Sequence, residues 1–395
     1  MNNSQLQFPF NPLHSMSLDL HFLGNKLSTC RGLLQLSIEE VSQGTGIPIR
    51  RIKLFEQGKL EPLGDEILIL SDFYKEDYKL FISSEQKSVI EKVDILYRRF
   101  GDTFTKDDRW AIREFLYLCE CEEDVWRVLN FEKKNFDFQK RGDYFKTHGL
   151  EAAKELRTFL GYSDNSQLKD IFNDFRKIGV HVFRRKLSSS NISGLFILHP
   201  YAGKCVLVNY NEDTYRQNFT VAHEVGHSIF DSEEQINVSL STDKGNDLRE
   251  LRANTFAAHF LIPPKAISNL NVSQWSVTVL HNVAKQLRVN VTPLLIQLKN
   301  LKLISEQEYL TLKRNFINES LKEDFEFENL NAQQKENKRK LIENGLSTFY
   351  VRKCHDAFSN HLISRKRLAE MLLTDEFQLP NILSPFNLKL TYDAD

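Results

Sequence analysis

Cysteine is scarce in this chain: five in 395 residues, at Cys30, Cys119, Cys121, Cys205 and Cys354. The count is odd and the only close pair is C-x-C, so neither a disulfide framework nor a four-cysteine zinc site is readable. Long apolar runs are missing as well. No uncharged apolar stretch approaches the ~20 residues that span a bilayer, and the opening MNNSQLQFPFNPLHSM has neither the charged start nor the apolar segment of a secretory signal. A cytoplasmic protein with no membrane partner is expected. Net charge is also lacking: 52 Lys+Arg stand against 53 Asp+Glu. Any nucleic-acid surface must therefore be a local patch. Three common enzyme signatures are absent too: the G-x-S-x-G elbow, the G-x-x-x-x-G-K-[ST] loop and a G-x-G-x-x-G after a strand.

What is present is the composition of a soluble globular protein, 41% hydrophobic and 27% charged, on a chain long enough for two or three domains. Residues 1–17 read as a loose arm. Short amphipathic helical patterns separated by Gly and Pro fill 18–80. Residues 81–145 continue helical, rich in aromatics and charge, and read as a connector. After His148 the pattern changes. EAAKELRTFLGY and QLKDIFNDFRKIG read as helices, and VHVFRR, GLFILH and CVLVN as strands, with PYAGK turning between the last two. A helix, a polar loop from Asp231 to Asn246 and a second helix from about Leu248 to Leu261 follow, stopped by Pro263 and Pro264. This domain covers 146–316. Residues 317–345 read as a charged linker and 346–395 as a C-terminal helical unit. The fold class is α+β, predominantly helical, with a small β-sheet.

The stretch TVAHEVGHSIF holds His223-Glu224-Val225-Gly226-His227, an H-E-x-x-H pattern. Positions four apart share one face of an α-helix, so both imidazoles can reach one ion. Neutral imidazole suits zinc, and a catalytic site takes three protein ligands with a fourth position for water. Glu224 follows the first ligand, where its carboxylate can serve as general base. Thr214 with Gln217 resembles a capping box for this helix. Phe219, Val221, Ala222, Val225, Ile229 and Phe230 supply the apolar surface to bury it.

A third ligand is sought on the second helix, DLRELRANTFAAHFLIPP, in a gluzincin-like arrangement. Glu250 and Asn254 are four apart and share a face, so Glu250 could ligate while Asn254 hydrogen-bonds a ligand histidine from behind. Asp247 and Glu250 also form a capping-box pattern, which would give Glu250 a purely local role. Asp231, Glu233, Glu234 and Asp243 are rival carboxylates in a loop with no apolar face to fix them. His259 falls on about the opposite side of the helix from Glu250. His199, His281, Tyr210 and Tyr215 could stabilise an oxyanion.

CVLVNYNEDTYRQNFTVAHEVGHSIF followed by ELRANTFAAHFLIP resembles the ImmA/IrrE family of zinc metallopeptidases, over about residues 145–315. The resemblance implies a metallopeptidase domain with Zn2+ as cofactor, His223, His227 and Glu250 as ligands and Glu224 as catalytic base. One position departs: many members carry an acidic residue two before the Asn, where this chain has Arg252.

Nearer the start, LSIEEVSQGTGIPIRRIKLFEQGKLEP resembles the XRE (Cro/repressor-like) helix-turn-helix, usually a five-helix domain. Ser37 would cap the first helix of the motif, Thr45-Gly46-Ile47 would turn, and the recognition helix would run from about Pro48 to Gln57. Arg50, Arg51 and Lys53 would then face phosphates or guanines of double-stranded DNA. Ile38 and Ile49 depart from the usual polar residues. From Leu20 to Pro62 there are six Lys/Arg and four Asp/Glu. The tail, GLSTFYVRKCHDAFSNHLISRKRLAEML, looks like the helical end of longer members that fuse both domains.

Together these resemblances imply a peptidase that cuts a repressor-like transcription factor, releasing genes for stress response, mobile-element control or defence, with a homodimer conceivable. An extended substrate could add to CVLVN or GLFILH through backbone hydrogen bonds. The rival expectation is a DNA-binding regulator or antitoxin-like protein whose peptidase fold is a sensor or partner surface without turnover. A metal-dependent hydrolase of some other bond is a third.

Overall fold

The protein is described from a computed structural model, which covers residues 18–83, 93–97, 103–140, 142, 145–163, 166–231, 236–240, 248–270, 272, 274–315 and 324–390. The arm at 1–17 lies outside the described residues. The chain divides into two compact units, Met1–Ser88 and Val89–Asp395.

The first unit is built from helices α1 (Leu20–Leu33), α2 (Ile38–Thr45), α3 (Ile49–Glu56), α4 (Gly64–Tyr74) and α5 (Lys79–Ile82). Ser37 caps α2 in a full capping box with Glu40, and Gly46 ends it at φ 73°, a left-handed conformation that glycine adopts without strain. Pro48 then starts α3. The backbones of α1 and α3 nearly touch: a Cβ on Gly24 would stand 2.5 Å from the Phe55 carbonyl oxygen. A two-pronged ion pair from Arg31 to Glu56, at 2.7 and 2.8 Å, locks the same crossing.

The second unit is organised around a four-stranded sheet, β1 (Val180–Arg185), β2 (Ile192–His199), β3 (Gly203–Asn209) and β4 (Ile236–Leu240), in the order β1-β3-β2-β4. β1 runs parallel to β3, while β2 is antiparallel to both β3 and β4. β4 falls inside the stretch expected to be a polar loop. It also changes the substrate expectation: CVLVN and GLFILH are interior strands, each with a neighbour on both sides, so neither has a free edge. Among the described strands the edges are β1 and β4.

Helices cover both faces of the sheet. Even-numbered β1 and β3 residues, Val180, Val182, Val206 and Val208, enter the main apolar core. That core also holds Ala152 and Leu156 of α7 (Phe145–Phe159), Phe172 and Phe175 of α8 (Ile171–Lys177), Val221 and Val225 of α9 (Thr214–Phe230), and Phe256 and Phe260 of α10 (Leu248–Leu261). Odd-numbered residues face α6 (Lys106–Val128), where Phe115 meets Phe183 edge-on at 6.2 Å. Residues 81–145 were expected to be a connector, yet α6 is a covering layer of the sheet.

The described part of the expected charged linker, 324–345, is likewise folded. The helix Ala332–Glu343 packs on β1, Asn344 bridges to Arg185, and the buried Lys338 donates to the Glu326 carbonyl oxygen at 2.6 Å. Arg184 reaches from β1 to Asp324 and Glu326. The tail helices Thr348–Ser359 and Arg365–Met371 pack on each other, and the former packs on α6. No described helix is long and apolar enough to cross a membrane.

Candidate metal centre

The H-E-x-x-H helix starts one residue earlier than its Thr214/Gln217 pattern indicated. Asp213 is the cap, accepting from the backbone N–H groups of Tyr215 and Arg216. Gln217 instead donates to the carbonyl oxygens of Tyr210 and Glu212 at 3.1 and 2.7 Å, binding the helix to the end of β3. From there α9 runs as a buried helix whose chemistry-bearing face lies under β2. Two glycines allow the approach. A Cβ on Gly194 of β2 would meet Thr220 Cγ2 at 2.7 Å and Glu224 Cγ at 3.1 Å, and one on Gly226 would meet Ala253 Cα at 3.2 Å. α9 is thus pressed between the sheet and α10.

This packing converges His223, His227 and Glu250. The two Nε2 atoms stand 3.1 Å apart. Glu250 places one oxygen 3.2 Å from His223 Nε2 and the other 3.1 Å from His227 Nε2. A tetrahedral zinc with bonds of 2.0–2.1 Å separates its ligand atoms by about 3.3 Å, so the three donors already have the spacing of one coordination sphere. Among the described residues no other His/Cys/Asp/Glu group has this arrangement. The histidines are buried, while the Glu250 side chain keeps 18% exposure, which leaves the cluster open on that side.

The outer ring nitrogens are held. His223 Nδ1 lies 3.0 Å from Asn254 Oδ1, and His227 Nδ1 lies 3.0 Å from Asp231 Oδ2. With both Nδ1 atoms facing oxygen acceptors, both Nε2 atoms turn toward the common point, where each neutral ring would present its lone pair to an ion, the arrangement metal-binding histidines need. Burial opposes a charged ring at His227, but hydrogen bonds to Asp231 and Glu250 outweigh it and raise its pKa to about 9. Burial likewise opposes a charged Glu250, and the hydrogen bonds from His223 and His227 overcome it, holding the carboxyl well below the usual range. Two imidazole nitrogens and a carboxylate converging at this spacing are a donor set that fits zinc.

Glu224, the expected general base, is fully buried on the β2 side of α9. Glu250 and Asn254 share a face of α10, Glu250 against both histidines and Asn254 against His223 Nδ1. Asp231 was passed over as a loop carboxylate, yet it is the C-cap of α9, four residues beyond His227 and so on the same face. That spacing was the available signal. Glu233, Glu234, Asp243 and Asp247 lie outside the described residues. His259 points away, hydrogen-bonded to Gln297 of the helix Val291–Asn300. His199 is absorbed by the β2–β3 turn, where Nδ1 accepts from the backbone of Tyr201 and Ala202 and Nε2 faces Glu120.

In the first unit, Arg50 and Lys53 are exposed on α3. Arg51 is committed elsewhere: its guanidinium makes a two-pronged pair with Glu66 of α4 at 2.7 and 2.8 Å. No curated protein matches the chain. Residues 175–298, which contain the four strands, the H-E-x-x-H helix and Glu250, match the peptidase M78 family model, described as the IrrE N-terminal-like domain, so this part of the chain is similar to a metallopeptidase domain.

Proposed function

We propose that the protein is a zinc-dependent metallo-endopeptidase joined to a DNA-binding helix-turn-helix, and that it cuts a repressor-type protein to control gene expression. The observation that carries the enzymatic part is the convergence of His223 Nε2, His227 Nε2 and Glu250 with both outer ring nitrogens held. Zinc, when bound, lowers the pKa of water toward ~7 and polarises a carbonyl. Glu224 accepts the proton of the attacking water and passes it to the leaving amine. Asn254 and Asp231 keep the rings oriented. The substrate enters as an extended segment pairing with the backbone edge of β4, so an exposed loop or strand of the target is what is cut.

The DNA-binding part rests on Arg50 and Lys53, which the α2-turn-α3 geometry displays, rather than on Arg51. Gene control through DNA binding alone is the second reading, favoured by the same exposed cations.

The deciding experiment measures metal content by elemental analysis in wild type, His227→Ala and Glu224→Gln, with cleavage of candidate repressors alongside. The expected result is about one zinc per chain in wild type and Glu224→Gln and none in His227→Ala, with cleavage only by wild type. Retained cleavage by Glu224→Gln overturns the mechanism. Operator binding by all three proteins with cleavage by none moves the function to the regulator.

A further inference from the structure

The two ring nitrogens that face away from the metal point are held differently. His223 is met by a neutral amide, Asn254, directly from α10. His227 is met by a carboxylate, Asp231, whose other oxygen accepts a hydrogen bond from Arg252, again from α10. All three groups are out of solvent: the side chains of His227, Asp231 and Arg252 are 2%, 9% and 5% exposed. The guanidinium is held between two rings, 4.9 Å from the centroid of Phe145 and 4.6 Å from that of Phe230. Its backbone is fixed too, because Gly149 of α7 lies so close that a Cβ there would sit 2.6 Å from the Arg252 carbonyl oxygen.

Resting on the metal-site reading above, we infer that Arg252 and Asp231 form a positioning relay for His227. Asp231 is the C-cap of α9, one residue past its last helical residue Phe230. Arg252 aims its carboxylate so that one oxygen receives the Nδ1–H. The relay also balances charge. A bare Asp231 beside Glu250 and Glu224 would place three carboxylates around two rings, and the buried guanidinium neutralises one of them. Arg252 is the residue at which the chain departs from the acidic one expected by resemblance. An acid there would repel Asp231, so positions 231 and 252 act as a pair. One helix therefore sets the whole centre: α10 provides Glu250, orients His223 through Asn254 and orients His227 through Arg252.

The test uses the full-length protein and variants Asp231→Asn, Arg252→Gln, Arg252→Lys and the double Asp231→Asn/Arg252→Gln, each checked for folding by circular dichroism. Zinc affinity is measured by competition with a chromophoric chelator, and the ligand geometry by the visible spectrum of the cobalt(II)-loaded protein. Loss of a residue that orients a metal ligand commonly costs about 10–100-fold in affinity. The expectation is a loss of at least about tenfold in Asp231→Asn and in Arg252→Gln with altered cobalt bands, and partial recovery in Arg252→Lys. Because Arg252 acts through Asp231, the double variant should be no weaker than Asp231→Asn alone.

Wild-type affinity and spectrum in folded Asp231→Asn would overturn the relay. So would losses that multiply in the double variant, since they would mark two independent structural roles. Should Arg252→Gln not fold, Asp231→Asn and Arg252→Lys decide the matter by the same two readouts. Failure of wild type itself to take up zinc or cobalt would remove the metal centre, and the relay with it.

Discussion

The second unit contains two buried histidine–carboxylate clusters, one on each face of the same sheet, built from the same residue types with opposite outcomes. On the α9/α10 side, His223, His227 and Glu250 turn three donor atoms toward one point. On the α6 side, His181 of β1 sits between Glu122 at 2.7 Å and Glu123 at 3.3 Å, fully buried and stacked on Trp126 at 4.1 Å. Here the carboxylates already have their cations: Arg176 pairs with Glu122 at 3.0 Å, and Lys133 and Arg127 pair with Glu123 at 2.8 and 3.0 Å. Both ring nitrogens of His181 face carboxylates, Nδ1 hydrogen-bonded to Glu122 and Nε2 in a 3.3 Å ion-pair contact with Glu123. Whether such a cluster becomes a site depends on which atoms converge and on whether protein cations already answer the acids.

The strongest way to break this comparison is to remove one member from each side. Glu122→Ala leaves Arg176 and His181 as buried charges without their main partner and should cost about 3–5 kcal/mol of stability while leaving zinc content at wild-type level. His227→Ala should do the reverse. Zinc content falls to zero, and the stability of chelator-treated protein falls less, because Asp231 keeps Arg252 and Glu250 keeps His223. The three tryptophans, Trp110, Trp126 and Trp275, all belong to the second unit, so urea unfolding followed by tryptophan fluorescence reads that unit alone. Equal stability losses, or zinc loss in Glu122→Ala, would erase the distinction.

A smaller effect separates the clusters by pH. Burial works against a charged His181, yet the hydrogen bonds to Glu122 and Glu123 raise its pKa to about 9. Its folded value therefore lies above the ordinary 6.5. The stability it contributes is fully present below about pH 6.5 and is lost as pH rises through 9, a change on the order of a few kcal/mol. Glu123 is the opposite case. Burial raises it, but His181, Lys133 and Arg127 bring it down to about 2, so its contribution holds above about pH 4.5 and is lost as pH falls through 2. Urea midpoints from pH 6 to 9.5 should fall more steeply in wild type than in His181→Gln. The subtraction is needed because His227 shifts in the same direction. Parallel curves would show that His181 does not carry the pH dependence in this range.

These contrasts also show what the sequence could and could not tell. The H-E-x-x-H spacing and the Glu250/Asn254 pair were legible because each lies within one helix, where a separation of four fixes a shared face. Three strands were legible as short β-rich runs. Asp231 was missed because its partner Arg252 comes from another helix and its own backbone leaves the helical path. α6 was read as a connector because its run of acids, Glu120, Glu122, Glu123 and Asp124, mimics a solvated face, whereas Glu122 and Glu123 are buried, Glu122 against Arg176, which lies 54 residues further along the chain. Residues 317–345 misled in the same way, since the composition of KENKRK gives no hint that Lys338 is buried.

Gly194 sharpens the comparison from the sheet itself. It is on the face toward Glu224, opposite α6, and an added methyl group would press on Thr220 Cγ2 at 2.7 Å and the Leu207 carbonyl oxygen at 3.0 Å. The second neighbour is backbone and cannot rotate away. Gly194→Ala should cost about 1–3 kcal/mol and reduce cleavage, while the His181 pH dependence stays as in wild type. A variant with unchanged cleavage would show that α9 does not need its close approach to β2.

The smallest expected effect asks which cations keep the α6-side cluster closed. Arg176 is buried, at 3% exposure, and its pairing with Glu122 is shielded from water. Lys133 is 37% exposed and reaches Glu123 from the rim. Solvent and salt screen such a rim pair, so Lys133→Gln should cost less than about 1 kcal/mol, and less still at high ionic strength. Arg176→Gln should cost several times more and be nearly insensitive to salt, because it leaves Glu122 facing His181 alone in a buried setting. Urea midpoints of both variants at two salt concentrations decide it. A large, salt-insensitive loss in Lys133→Gln would mean that the rim ammonium, rather than the buried guanidinium, keeps these carboxylates from acting as ligands.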